Sequence, residues 1–240
     1  MLKNKKVIIF DMDGTLIDSI GIWNDIDKKL IETIGTVELD NDTDIGKQRD
    51  EKLKEFSKKE DAYLEYCGFL AEKYNSLMKK DEIKKLRYEI ANNYLENIID
   101  YKPHAEKVLK ILKENGFTLV IASTTNDHTI EIYKTKNQNI IKKANLEDYF
   151  SLIYSKGAVK ELKPNPEVHY KILEKLNVKP EECLIIEDSL IGVEAALNAD
   201  IEVAVIYDKY SDGNREKINE LSQYQFNNFE DMLDYIQKCI

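Results

Sequence analysis

The chain reads as an α/β protein: a five-stranded parallel sheet covered by helices, with an all-α block inserted after the first strand. Two observations predict this. Short apolar runs alternate with stretches of helical spacing over most of the chain, as in strand–helix–strand crossovers that cover a parallel sheet on both faces. Between the first apolar run and the second, residues 18–95 lack proline and repeat apolar side chains every three or four positions.

Val7-Ile8-Ile9-Phe10 is the first strand, because four consecutive apolar residues, with lysines before them and Gly14 behind, suit burial on both faces. The insertion then lines up Ile22, Ile26, Leu30 and Ile34, next Tyr63, Cys67, Leu70 and Tyr74, and finally Ile83, Leu86, Ile90 and Tyr94. Domain boundaries are expected at 1–17 with 96–240 for the core, and 18–95 for the insertion. Beyond it the pattern predicts a helix over 105–115, a strand over 117–122, helices through 144 and a strand near 150–154. A helix over 168–176, a strand over 183–186, a helix to 198, a strand over 201–206 and a final helix near 231–237 complete the chain.

Four places on this frame carry chemistry. Asp11 and Asp13 follow the first strand, and residues two apart on extended chain share a side. Two acids in one small volume repel unless a cation lies between them, and a hard divalent ion such as Mg²⁺ with oxygen ligands suits that need. The second strand ends in the hydroxyls Ser123 and Thr124. Lys163 sits in a loop stiffened by Pro164 and Pro166, ahead of a helix. A further strand terminates in Glu187-Asp188-Ser189, where Ser189 also suits a helix N-cap.

In that order, and in that strand context, the sequence resembles the haloacid dehalogenase superfamily, in the branch that includes β-phosphoglucomutase and the small sugar-phosphate phosphatases. Asp11-Met12-Asp13-Gly14-Thr15 looks like its first motif, Ser123 its second, Lys163 its third and Glu187-Asp188 its fourth. The resemblance implies a Rossmann-like core with strand order 3-2-1-4-5, which sets Asp11 and Asp188 beside the topological switch point, and a helical cap that closes over the core. It implies a Mg²⁺-dependent phosphatase acting on a small phosphorylated metabolite, with a sugar phosphate as the expected substrate. Asp11 is then the nucleophile and Asp13 the acid and base, with Mg²⁺ on Asp11, Asp188, the Asp13 carbonyl and, directly or through water, Glu187. Ser123, the amide of Thr124 and Lys163 would hold the phosphoryl oxygens.

Arg49 falls in the cap segment where β-phosphoglucomutase carries a phosphate-gripping arginine, and Trp23 stands where that mutase has a histidine; either a substrate contact or an ordinary cap position suits each. Ile90 replaces the mutase's cap lysine, so these departures favour a phosphatase over a mutase. A noncatalytic phosphate-binding protein is the third alternative, with little reason to keep both Asp11 and Asp13. Other departures are Pro103-His104, Ala199-Asp200 and extra residues around 136–139. His104, His128 and His169 lack metal-type spacing and read as surface or helix residues.

Composition bounds the rest. A net charge of −10 argues against nucleic acid as a partner, and no apolar run is long enough to span a membrane. The first strand follows at once on the N-terminus without a signal-peptide pattern, and Cys67, Cys183 and Cys239 are odd in number, so a cytoplasmic monomer is expected.

Overall fold

The computed structural model describes residues 1–36, 44–56 and 58–239. It divides into two compact units, one formed by residues 1–20 with 99–240 and the other by residues 21–98.

The first unit is built on one parallel sheet. Its strands are β1 (Val7–Phe10), β2 (Thr118–Ala122), β3 (Leu152–Tyr154), β4 (Cys183–Glu187), β5 (Glu202–Ile206) and β6 (Tyr224–Phe226). The spatial order is β3-β2-β1-β4-β5-β6. The sheet therefore has six strands where the sequence predicts five. The additional Tyr-Gln-Phe strand is three residues long and only partly buried, too short and too mixed to stand out as an apolar run, and it pairs parallel to β5 at the edge. All four β1 residues are buried, each fully buried apolar side chain contributing roughly 1.5–3 kcal/mol.

Register is what matters for the site. Phe10 pairs with Ile121 on one side and Ile186 on the other. The next residues, Asp11, Ala122 and Glu187, consequently end three adjacent strands at one level.

Helices on this unit include α5 (Ala105–Glu114), α6 (Asp127–Thr135), α7 (Gln138–Ala144), α8 (Leu146–Tyr149), α9 (Glu167–Leu176), α10 (Leu190–Asn198), α11 (Arg215–Leu221) and α12 (Phe229–Cys239). The extra residues around 136–139 form the joint between α6 and α7, where Asn137 caps α7 by accepting from the Ile140 amide at 3.0 Å. Val7 and Ile9 on one face of β1 join a core that includes Val168, Ile172, Val193 and Ala196 of α9 and α10. On another side of β1, Phe10 meets Phe150 edge-on, with ring centroids 6.2 Å apart.

The second unit consists of α1 (Ile22–Ile34), α2 (Ile45–Glu55), α3 (Ala62–Lys73) and α4 (Lys80–Asn97). Ile22, Ile26, Leu30 and Ile34 are buried as their spacing predicts. In α4 the stripe is turned: Ile83, Arg87, Ala91 and Leu95 are buried, while Leu86, Ile90 and Tyr94 lie partly exposed at its flank. The cause is Asp27, fully buried on α1, whose Oδ1 accepts from Arg87 Nε at 2.7 Å. A buried charge requires a partner, and that pair outranks the apolar spacing.

Candidate active site

β1 delivers Asp11 to the carboxyl edge of the sheet, and its amide donates to the Ile186 carbonyl of β4 at 2.9 Å. Beyond it the chain turns tightly: Gly14 has φ +84°, and its amide donates to the Ile17 carbonyl. Only glycine suits this place, since a Cβ there would also stand 2.7 Å from Asp188 Oδ2.

Lys163 is buried, and its ammonium donates to Asp11 Oδ1 at 2.6 Å and Glu187 Oε1 at 2.7 Å. The loop that carries it is fixed by Glu167 in the first turn of α9, whose Oε2 accepts from the Lys160 and Glu161 amides at 2.9 and 2.8 Å. Glu187 is held from its other oxygen as well: Oε2 accepts from the amides of Asp188 and Ser189 and from the Ser189 hydroxyl, at 2.9 to 3.0 Å. Asp188 Oδ1 accepts from Thr15 Oγ1 at 2.6 Å.

Asp11, Glu187 and Asp188 present carboxylate oxygens within 4.8 Å of one another, all three buried. Three carboxylates face the single Lys163 ammonium, which bonds only Asp11 and Glu187, so they cannot all ionise there without unbalanced negative charge. Burial foremost, then Glu187 and Asp188, raises the Asp11 carboxyl well above the carboxylate range against the pull of Lys163. Burial and then Glu187 push Asp188 up to about 7, opposed by the Thr15 hydrogen bond and by Lys102. Burial disfavours the Lys163 charge, but Asp11 and Glu187 outweigh it and raise the ammonium pKa. A hard divalent cation fits this donor set, because it carries the missing charge and prefers carboxylate oxygen.

Asp13 accepts from Ser19 Oγ at 2.5 Å and from Thr125 Oγ1, and Thr125 is in turn held by Ser123, whose Oγ donates to Thr125 Oγ1 at 2.8 Å. Ser123 is therefore joined to Asp13 through Thr125, whereas Thr124 is exposed. Burial raises the Asp13 carboxyl, with the hydroxyls of Ser19, Thr125 and Tyr133 opposing it. Thr15 belongs to the first motif read from the sequence, whereas Ser19 and Thr125 carried no signal there.

Gly192 in the first turn of α10 is a second glycine with a task. A Cβ there would overlap the Glu187 carboxylate, which is already pinned by four donors. Gly192→Ala is expected to displace Glu187 from Lys163 and to lower stability by about 1–3 kcal/mol, as overpacking does. Thermal unfolding in the presence of a chelator measures it; an unchanged midpoint would show that Glu187 has room to move.

His169 lies on α9 as expected but is fully buried, and neither ring nitrogen has a hydrogen-bond partner. Burial, with Lys163 nearby, lowers its pKa to about 3. The folded state thus refuses a proton that the unfolded chain takes near 6.5, so stability is kept above pH 6.5 and lost as pH falls toward 3. Between pH 7 and 5 the loss from this group is expected to be about 2 kcal/mol. Denaturant unfolding at both pH values checks it, and His169→Met should flatten the acid limb.

Within the helical unit, Arg49 Nη1 donates to Asp27 Oδ2 and Asn24 Oδ1, both at 3.2 Å, and Nε donates to Asp50 Oδ1 at 3.1 Å. Trp23 is partly exposed, and the Arg87 guanidinium lies 5.7 Å from its ring and 4.9 Å from that of Tyr63. Asp27 and Arg87 escaped the sequence reading, although Asp27 stands three, four and seven positions before Leu30, Ile31 and Ile34, inside the apolar stripe.

A buried carboxylate cluster at the carboxyl edge of a parallel sheet, beside the point where the strand order reverses, is where open α/β proteins bind their ligands. Residues 5–200 match the haloacid dehalogenase-like hydrolase family, and the chain belongs to it. Among curated relatives, it is 30% identical over 207 residues to a phosphoglycolate phosphatase of Aquifex aeolicus, covering 83% of this chain and 84% of that one. It is 26% identical over 205 residues to a phosphorylated carbohydrates phosphatase of Thermotoga maritima, covering 82% of each. A crystal structure from Thermotoga maritima, provisionally assigned as a β-phosphoglucomutase, shares the fold with a TM-score of 0.75 and 24% identity over 98% of this chain and all of that one.

Proposed function

We propose that the enzyme is a Mg²⁺-dependent phosphatase that hydrolyses a small phosphate monoester, a sugar phosphate by preference, through an aspartyl-phosphate on Asp11. The observation that carries this is the Lys163 ammonium bridging Asp11 and Glu187 in a buried cluster of three carboxylates, beside a further aspartate set apart on hydroxyls.

In this reading an Asp11 oxygen attacks phosphorus as the bond to the alcohol oxygen breaks, and Asp13 gives that oxygen its proton. Water then attacks the phosphorus, Asp13 takes its proton, and the bond to Asp11 breaks to release phosphate. Lys163 offsets charge on the transferring group, while Ser123 and the Thr124 amide orient its oxygens. Asp11, Asp188 and the Asp13 carbonyl would hold Mg²⁺, which supplies the positive charge that lets an ester dianion and a carboxylate approach. Glu187 has both oxygens engaged, so its part is to hold Lys163 at the edge of that site. That relatives act as phosphatases of phosphorylated carbohydrates and of phosphoglycolate supports the substrate class. Among the described residues no helix is long and apolar enough to cross a membrane, and all three cysteines are free thiols, which supports a cytoplasmic setting.

Phosphate release from a panel of small esters, with and without Mg²⁺ and including β-glucose 1-phosphate, tests the reading. Release that requires Mg²⁺ supports it. Isomerisation to glucose 6-phosphate on adding a sugar bisphosphate would replace it with a mutase, and binding without turnover with a noncatalytic role.

A further inference from the structure

The extra residues around 136–139 have a target. Ile99, Asp100 and Tyr101 open the second stretch of the first unit, and each is held by the segment 137–144. Asn137 is fully buried; its Nδ2 donates to the Ile99 carbonyl at 2.9 Å while its Oδ1 caps α7. Asn139 Nδ2 donates to the same carbonyl at 3.2 Å. Lys143 donates to the Asp100 carboxylate, and the Tyr101 hydroxyl donates to the Ala144 carbonyl at 2.6 Å. A cap needs only the Asn137 oxygen, so the bond from its buried amide to Ile99 goes beyond what starting a helix requires.

The same segment holds the loop after β1. Ile17 bridges Tyr101 antiparallel, the Asp18 amide donates to the Asp100 carbonyl at 3.2 Å, and the Lys102 amide donates to the Leu16 carbonyl at 2.8 Å. Ile17 in turn ties down both neighbours of Asp13: its amide donates to the Met12 carbonyl and its carbonyl accepts from the Gly14 amide, each at 2.9 Å. Two residues on, Ser19 Oγ donates to Asp13 Oδ1 at 2.5 Å. We propose that α7 is a clamp on the loop that carries Asp13, with Asn137 and Tyr101 as positioning residues. They fix residues 99–101, and that segment fixes Ile17 and Ser19 around the carboxylate that hands its proton to the leaving alcohol. This role rests on the reading of Asp13 as acid and base. A loop closed only by its own hydrogen bonds opens locally at little cost, whereas one paired to a segment bolted to a helix opens only with that segment.

Two variants release the clamp from different ends. Asn137→Ser keeps a hydroxyl to cap α7 and gives up the bond to Ile99, and Tyr101→Phe keeps the ring and gives up the bond to Ala144. Each is expected to speed hydrogen exchange about tenfold at the Ile17, Asp18 and Lys102 amides, the worth of one hydrogen bond. The Lys160 and Glu161 amides, held elsewhere by Glu167, should not change. Leaving groups then report on Asp13, because an alkyl phosphate needs its proton whereas p-nitrophenyl phosphate departs as a stable phenolate. In both variants kcat/KM should fall about three- to tenfold more for the alkyl ester, a bias that lost packing alone does not produce. Asp13→Asn sets the scale, with a bias of about 10²- to 10⁴-fold. Unchanged exchange at Ile17 and Asp18, or an equal rise at Lys160 and Glu161, would overturn the clamp. Faster loop exchange with equal losses on both esters, beside a biased Asp13→Asn, would overturn the positioning role alone. An unbiased Asp13→Asn overturns the acid–base reading and the positioning role with it. Either variant decides the matter if the other folds poorly.

Discussion

Asp11→Asn is expected to abolish phosphate release, by at least about 10⁴-fold, while leaving the protein folded and more stable than the parent in the absence of Mg²⁺. The loss follows from chemistry, since a neutral amide cannot form the acyl phosphate. The gain in stability follows from electrostatics. Asp11 is one of three clustered buried carboxylates and shares the Lys163 ammonium with Glu187, and burial raises its carboxyl above the unfolded value. An acid whose folded pKa is raised adds stability below its unfolded pKa and loses it as pH rises through the folded one. At neutral pH the parent therefore bears a cost that asparagine lacks, and the difference should fade below about pH 4. Unfolding in chelator at pH 7 and pH 4, beside a phosphate-release assay, measures both halves. Turnover near the parent's level would sink the covalent mechanism; equal stability at pH 7 would show that the cluster is less charged than its geometry implies.

The parts of this site that were legible in the sequence are those whose meaning is local. Val7 to Phe10 reads as a buried strand because the run is short and continuous, and Asp11 and Asp13 inherit their place from it. Lys163 is legible from the prolines around it and from the helix start behind it. What the sequence withholds is contact between distant segments. Thr125 meets Asp13 across 112 positions and Thr15 meets Asp188 across 173, and a lone threonine carries no sign of either. Arg87 was hidden for another reason: apolar spacing assigned the α4 face to Leu86, Ile90 and Tyr94, but Asp27 on α1 drew a charged residue into the core instead. The edge strand Tyr224–Phe226 gains its identity from pairing with β5, which no property of three residues encodes.

The same reasoning makes Lys163→Met the most damaging change after the nucleophile, and for two separable reasons. Methionine keeps the length of the side chain and removes its charge, so Asp11 and Glu187 lose the donor that sits 2.6 and 2.7 Å from them. Breaking a buried pair in this way costs about 3–5 kcal/mol, a large share of the roughly 5–15 kcal/mol that holds a domain folded. Turnover should fall by about 10²- to 10³-fold, because charge on the transferring group is no longer offset from that side. Mg²⁺ distinguishes the two effects. Whatever cation the cluster accepts will find one more unbalanced negative charge in the variant, so the rise in unfolding midpoint on adding Mg²⁺ should be larger than in the parent. Stability should thus be largely recovered at saturating Mg²⁺ while turnover is not, since a metal on Asp11 and Asp188 cannot stand where the ammonium met the phosphoryl oxygens. Recovery of both would mean that Lys163 serves only to balance charge. Recovery of neither would mean that the loop carrying it, tied down by Glu167, depends on the lysine for its shape.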